Sequence, residues 1–340
     1  MRKPGIFERM KVVENDEIFT GEFKIVTQFD VYTTTEDVIR GVDLKGKTAV
    51  VTGASAGLGV ETARTLAVAG ANTILLGRNR QKLTNAADGI RQQHPDVNIQ
   101  TVIMDLADQS SVREAAAEIL SSHPTIDLLI NNAGVMACPF SKTVQGLELQ
   151  FGTNHIGHFL FTCLLIPALL NADQARIINL SSAGHKNGEV DLQDYNFEKR
   201  SYDKWVSYGQ AKTANVQFTV ALSERLLDKG VRCFAVHPGA IKTELGRHMT
   251  EEDARSLAKT ATTSEGWIYK TVAGGAATSV WAATSEDLNN HSGIYLEDCQ
   301  IAEPVHDGSS GGYAAYAVDS DKSNKLWALS EKIVGQRFTF

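Results

Sequence analysis

Cysteine is scarce in this chain: four in 340 residues, Cys138, Cys163, Cys233 and Cys299, with no CxxC pair among them. That spacing supplies neither a disulfide framework nor a metal knuckle, and it predicts reduced thiols in a cytoplasmic setting. Clustered Lys and Arg are also missing. With a net charge of −7 the chain carries no basic footprint for a phosphate backbone, which argues against a nucleic-acid partner. Long apolar runs are lacking too. The most apolar helical stretch, Phe159 to Leu170, is about twelve residues long and holds Pro167, whereas a bilayer span needs about 20. The N-terminus, MRKPGIFERMKVVENDEIF, has basic residues without a continuous apolar core and does not read as a secretory signal.

What is present is an ordinary globular balance, 43% hydrophobic and 21% charged, enough for a large core. From Thr48 onward, short apolar runs alternate with helical segments. TAVVTG (48–53), NTILLG (72–77), NIQTVIMD (98–105), IDLLINNAG (126–134), ARIINLSS (175–182) and VRCFAVHPG (231–239) read as strands, and 57–70 and 111–120 as helices between them. Near-continuous apolar strands separated by helices predict an α/β fold: a doubly wound parallel sheet of Rossmann type in a single domain. The expected organisation is an N-terminal extension (1–43), a catalytic domain (44–303) and a C-terminal extension (304–340). The arm before the first strand contains a short capped helix at 33–41 and packs on the core or on a neighbouring subunit. Residues 306–317 read as a glycine- and serine-rich loop, and 323–334 as a final helix.

Between the first strand and its helix lies Gly53-Ala-Ser-Ala-Gly57-Leu-Gly59. Three glycines let the backbone approach a pyrophosphate, and amides at a helix N-terminus add partial positive charge. A glycine triplet alone is weak evidence, and close helix–strand packing also explains it. The end of the second strand discriminates between nicotinamides, because an acid there holds ribose hydroxyls and an arginine accommodates a 2′-phosphate. Here Arg78 follows Gly77 and no acid is present, so NADP(H) is favoured, with NAD(H) as the other option.

These residues resemble the short-chain dehydrogenase/reductase family over roughly Leu44 to Leu296, in the flavour of its retinol-dehydrogenase-like branch and bacterial relatives. The resemblance implies cofactor contacts from Gly53, Ser55, Gly57, Leu58 and Gly59, and from Asp105 and Leu106 after the third strand. It implies further contacts from Asn132, Ala133 and Gly134, and from Pro238, Gly239, Ile241 and Thr243 beside the nicotinamide. Asn154, Ser182, Tyr208 and Lys212 match the family's catalytic tetrad. The helices that follow Asn154 and carry Tyr208 match its usual subunit contact, which implies a homodimer or homotetramer. This chain departs from shorter relatives in its N-terminal arm and in the 25 residues between Ser182 and Tyr208.

Tyr208 and Lys212 are four apart, hence on one helical face. A tyrosine with a pKa of about 10 is a poor base near neutrality, and a neighbouring ammonium together with an oxidised nicotinamide is expected to lower it. Tyr208 then acts as general base or general acid, Ser182 donates to the substrate oxygen, and Lys212 also holds the cofactor ribose. For Asn154 the resemblance implies a bound water that links Lys212 to solvent. The expected activity is interconversion of an alcohol and a carbonyl on a lipophilic small molecule such as a steroid, retinoid or aromatic alcohol. Reduction of a carbon–carbon double bond and a silent nucleotide-sensing scaffold are the alternatives.

Other residues invite weaker readings. His155 and His158 have a metal-compatible spacing without a third ligand, so packing or local hydrogen bonding is expected and no metal. His185 lines a substrate mouth or is a plain loop histidine. Cys138 is expected to be inert. Phe197, Tyr202 and Trp205 either face substrate or cover surface.

Overall fold

The computed structural model describes residues 28–253, 255, 268–306 and 311–340. Residues 1–27 of the N-terminal extension and 307–310 of the glycine-rich loop lie outside the described residues. The six expected strands form at β1 (Thr48–Thr52), β2 (Asn72–Gly77), β3 (Ile99–Ile103), β4 (Leu128–Asn131), β5 (Arg176–Leu180) and β6 (Arg232–His237). Every residue of β1 and β5 is buried, as expected of strands covered on both faces. Four short strands were not foreseen. β7 (Ala240–Ile241) pairs with β8 (Tyr269–Lys270) apart from the main sheet, and β9 (Ile294–Glu297) and β10 (Gln300–Ile301) extend its edge.

The main sheet runs β3-β2-β1-β4-β5-β6-β9-β10, parallel throughout except for β10. The chain winds outward from β1 in both directions, so a crevice opens beyond the carboxyl ends of β1 and β4. Helices α1 (Thr35–Ile39), α2 (Gly57–Val68) and α3 (Arg80–Gln93) come first, followed by α4 (Gln109–Ser122), α5 (His158–Leu169) and α6 (Lys204–Leu226). The last two are α7 (Val272–Thr284) and α8 (Ser320–Val334). One face of the sheet is covered by α1, α2, α3 and α7, where Leu66, Leu83 and Trp281 are buried. The other is covered by α4, α5, α6 and α8, around Val112, Phe159, Phe218 and Trp327.

Within the N-terminal arm, α1 is held by a capping box between Thr34 and Asp37 and packs on this chain's own α2 and α7. Arg64 of α2 bonds both Glu61 and Glu36, tying the arm down. At the other terminus α8 starts at Ser320, three residues before the expected position, because Asp319 caps it.

Helix α8 lies along α6, with Trp327 against Phe159, Phe218 and Phe340 and the Arg225 guanidinium 4.2 Å from its ring centre. The helices on which the resemblance seats a partner subunit are therefore occupied by the chain's own C-terminus. Trp327→Ala is expected to cost about 3–5 kcal/mol through the void it leaves. A urea midpoint unchanged from wild type would show that α8 adds nothing to the fold.

Candidate active site

The glycine-rich turn needs its glycines for specific reasons. Gly53 and Gly57 have φ of +67° and +57°, and a Cβ on Gly59 would lie 2.3 Å from the Gly53 carbonyl oxygen. The helix can therefore press on the turn only without a side chain there. Helices α3, α4, α6 and α8 begin with the capping side chains Asn79, Asp108, Asp203 and Asp319. Helix α2 begins at Gly57 after Ala56, whose side chain caps nothing, so its first amides are left for a partner other than a capping side chain. That cradle fits the pyrophosphate of a dinucleotide.

The other expected contacts ring the same crevice. Arg78 is exposed just past β2, and Ser55 faces Gly77 at the end of that strand. Four residues on, Lys82 pairs with Glu244 at 2.9 Å across a groove of about 530 Å³ that Ser55 and Gly57 also line. Asp105 follows β3 and accepts the Ala107 N–H at 2.9 Å. Leu106 is buried against Gly157, where a Cβ would come within 2.5 Å of its carbonyl. Past β6, Gly239 has φ of +93°, Ile241 packs on Gly275 beside Leu58, and Thr243 lies against Gly57. The Pro238–Thr243 segment thus folds back onto the glycine-rich turn.

The Asn131–Gly134 turn is anchored from both sides. Asn131 donates to Asn179 and Thr162 at 2.7 and 2.8 Å, and Asn132 donates to the Thr52 carbonyl at 2.8 Å. Gly134 faces the amine of Lys212 and the amide of Asn154, with room for at most a Cβ between them. Asn154 lies in a π-helical segment, Gly152–Gly157, that leads into α5. Its side-chain amide clamps the Val135 backbone, accepting from the N–H at 2.8 Å and donating to the carbonyl at 2.9 Å.

Tyr208, Lys212 and Ser182 meet at the carboxyl end of β5. Tyr208 is buried on α6, and the nearby Ser182 hydroxyl pulls on its phenol; both side chains crowd Gly184. Its ring presses on Gly184, where a Cβ would lie 2.9 Å away; the sequence reading passed over this glycine. Lys212, one turn later, donates to the Leu180 carbonyl at 2.8 Å, with its amine 5.8 Å from the Tyr208 ring centre. Burial sets the electrostatics of the chain's own groups here. Burial pushes the Tyr208 phenol up to about 12, against a smaller downward pull from Ser182, and pushes the Lys212 amine down to about 8. Both charged forms would sit away from water, so desolvation is the largest cause for each.

The remaining candidates resolve into structural roles. His185 is buried: its Nδ1 donates to the Ser182 carbonyl at 2.6 Å, and its Nε2 accepts the Ala314 N–H at 3.1 Å. It ties the serine loop to the C-terminal extension and does not line a substrate mouth. Tyr202 donates to the Cys138 carbonyl at 2.8 Å, and Trp205 reaches Asp253 at 3.3 Å. Burial pushes the Cys138 thiol up, which disfavours a reactive thiolate. His155 bonds Ser330 of α8 at 2.8 Å, while His158 bonds Thr52 and the Asn154 carbonyl.

A family model described as short chain dehydrogenase matches residues 47–254. The chain belongs to the short-chain dehydrogenase/reductase family. It is 40% identical to retinol dehydrogenase 13 of Homo sapiens over 293 residues, covering 86% of each chain. It is 39% identical to retinol dehydrogenase 14 of Mus musculus over 303 residues, covering 86% of this chain and 87% of that one. A crystal structure of an uncharacterized protein from Mycobacterium Paratuberculosis superposes with a TM-score of 0.69 at 32% identity, covering 91% of this chain and 99% of that one. A short chain dehydrogenase from Shigella flexneri 2a str. 301, complexed with NADP, superposes with a TM-score of 0.58 at 25% identity, covering 75% and 98%. As a short-chain dehydrogenase/reductase, the chain is an NAD(P)-dependent oxidoreductase acting on CH–OH donors. Among the described residues no helix is long and apolar enough to cross a membrane.

Proposed function

We propose that this enzyme interconverts a secondary or primary alcohol and its carbonyl on a lipophilic small molecule of steroid, retinoid or aromatic type, using NADP(H). The observation that carries the reading is the meeting of the Tyr208 and Ser182 hydroxyls with the Lys212 amine beside the glycine-rich crevice. The retinoid-like class is supported by the names of the relatives, retinol dehydrogenases 13 and 14. When bound, the nicotinamide gives or takes the hydride. The chain's task is to orient the carbon and move one proton.

In reduction, Tyr208 holds its proton at the phenol oxygen, where burial keeps it, and releases it to the oxygen that gains charge. Ser182 donates a hydrogen bond to that same oxygen. Lys212 binds the ribose and restores the proton, and Asn154 keeps the Val135 backbone and the Gly134 gap in register for it. In oxidation the phenol must lose its proton, and positive charge arriving next to it offsets the desolvation that holds its pKa up. Four buried cysteines, with no disulfide spacing among them, suit a reducing compartment, and we propose that the enzyme works in the cytoplasm. Because α8 covers α6, a homo-oligomer of this chain uses a face other than the one expected.

A panel of secondary alcohols, ketones, retinoids and steroids, assayed by nicotinamide absorbance with both cofactors, tests the reading. Turnover of an activated alkene but of no carbonyl would replace it with double-bond reduction. Cofactor binding without any turnover would replace it with a sensing role. For the cofactor, Arg78→Asp is expected to move preference from NADP(H) towards NAD(H) by about tenfold or more, since one charged contact to the 2′-phosphate is exchanged for repulsion. An unchanged ratio of kcat/KM values would remove Arg78 from that role.

A further inference from the structure

His158 is buried and sits four residues after Asn154, at the junction of the π-helical segment and α5. Its Nδ1 lies 2.9 Å from the Asn154 carbonyl oxygen, and its Nε2 lies 2.9 Å from the Thr52 hydroxyl. A carbonyl only accepts, so Nδ1 carries the proton and donates it. Burial, with a smaller push from the Lys212 charge, holds the ring pKa down at about 4, so the ring is neutral and has a single N–H. Nε2 therefore accepts, and the Thr52 O–H donates to it. The other side of the Thr52 oxygen agrees: it accepts the N–H groups of Asn132 and Ala133, each at 3.0 Å, the former shared with the Ile130 carbonyl.

We propose that His158 is a positioning residue that locks the backbone carbonyl of Asn154 to the end of β1, making the cofactor floor and the Asn154 corner one hydrogen-bonded unit. This rests on the reading of Asn154 as part of the catalytic apparatus. The chain of bonds runs from two turn amides through Thr52 and the imidazole to Asn154. It is not a proton exit, because it ends on amide N–H groups that take up no proton. What it transmits is position. The turn that supplies the amides is also the turn whose Gly134 faces the Lys212 amine and the Asn154 amide, so a shift of either end moves the gap between them. The π-helical register shifts the backbone donor for a carbonyl from residue i+4 to i+5, which leaves the i+4 side chain room to reach it. An apolar side chain at 158 would fill the volume and leave the Thr52 hydrogen and the Asn154 carbonyl without this bond.

Three measurements on the full chain decide the matter. His158→Leu is expected to lower kcat about 10- to 100-fold, with substrate KM changed far less, as a misplaced catalytic corner requires. His158→Asn, which keeps an N–H donor at similar reach to the Asn154 carbonyl, is expected to restore most of that loss. Nitrogen-15 spectra of the wild-type imidazoles are expected to show His158 as the Nδ1–H tautomer with no titration between roughly pH 5 and 9. A His158→Leu enzyme with wild-type kcat and NADPH affinity overturns the inference. So does an Nε2–H tautomer, or a ring that titrates in that range, and these spectra decide even if the leucine variant does not fold. An active Tyr208→Phe enzyme would instead overturn the reading of the site on which the inference rests.

Discussion

Tyr208→Phe is expected to lower kcat about 10²- to 10⁴-fold while leaving the dissociation constant for NADPH within about twofold of wild type. The asymmetry follows from the packing. The ring fills the space over Gly184 with its carbon edge, and phenylalanine fills the same space. What disappears is the hydroxyl beside Ser182. The glycine-rich turn, Arg78 and the uncapped start of α2 are untouched, so binding survives. Turnover within about tenfold of wild type would remove Tyr208 from the proton transfer. A lost affinity for NADPH would mean that the hydroxyl serves the cofactor and not the substrate.

Lys212→Met is expected to abolish turnover and, unusually for a buried substitution, to stabilise the cofactor-free protein. Lys212 is buried with a carbonyl for a partner, and its folded pKa is about 8 against an ordinary 10.5. Below pH 8 the folded chain carries a desolvated ammonium, a cost of about 3 kcal/mol at most. As pH rises from about 8 to 10.5 the unfolded chain binds the extra proton, so stability rises with pH across that window. Tyr208 acts in the opposite sense. Its folded pKa of about 12 against an ordinary 10 makes the folded chain the one that keeps a proton, so stability falls above pH 10. In Lys212→Met the rise between 8 and 10.5 is expected to vanish and the fall above 10 to remain. Denaturant melts at pH 7 and pH 9.5 check this. A variant less stable than wild type at pH 7 would show that the amine's packing and its bond to Leu180 outweigh its desolvation.

The strands that carry the site were legible because a strand covered on both faces reads as a near-continuous apolar run, as TAVVT and RIINL do. The edge was not. β9 has four residues and turns into β10 through Asp298 and Cys299, both at positive φ, where a glycine or asparagine would have announced a hairpin. The π-helical segment was equally silent, since π and α turns share composition and differ only in backbone register. Among site residues, Tyr208 and Lys212 were paired by helical spacing. The lowering expected for Tyr208 belongs to an ammonium and an oxidised nicotinamide together; for the chain's own groups burial holds the phenol up, and spacing carries no information on burial. For His158 the sequence favours packing or local hydrogen bonding over a metal, and its bond to the Asn154 carbonyl is of that local kind. Its bond to Thr52, 106 residues earlier, can be seen only once α5 is laid against β1. The cover over α6 was hidden for a similar reason: Trp327 reads as an ordinary helix residue until Phe159 and Phe218 are beside it.

Helix α2 is preceded by an alanine where α3, α4, α6 and α8 are preceded by a capping side chain, and this has a consequence beyond catalysis. The anion that completes the first turn comes from outside the chain, so the dinucleotide acts as a missing piece of secondary structure. Any ligand held by the folded form alone, at free concentration L, stabilises it by RT ln(1 + L/Kd), so the melting temperature climbs with that concentration. The amount of intact enzyme in a cell would accordingly follow the nicotinamide pool, with depletion leaving the protein more open to proteolysis.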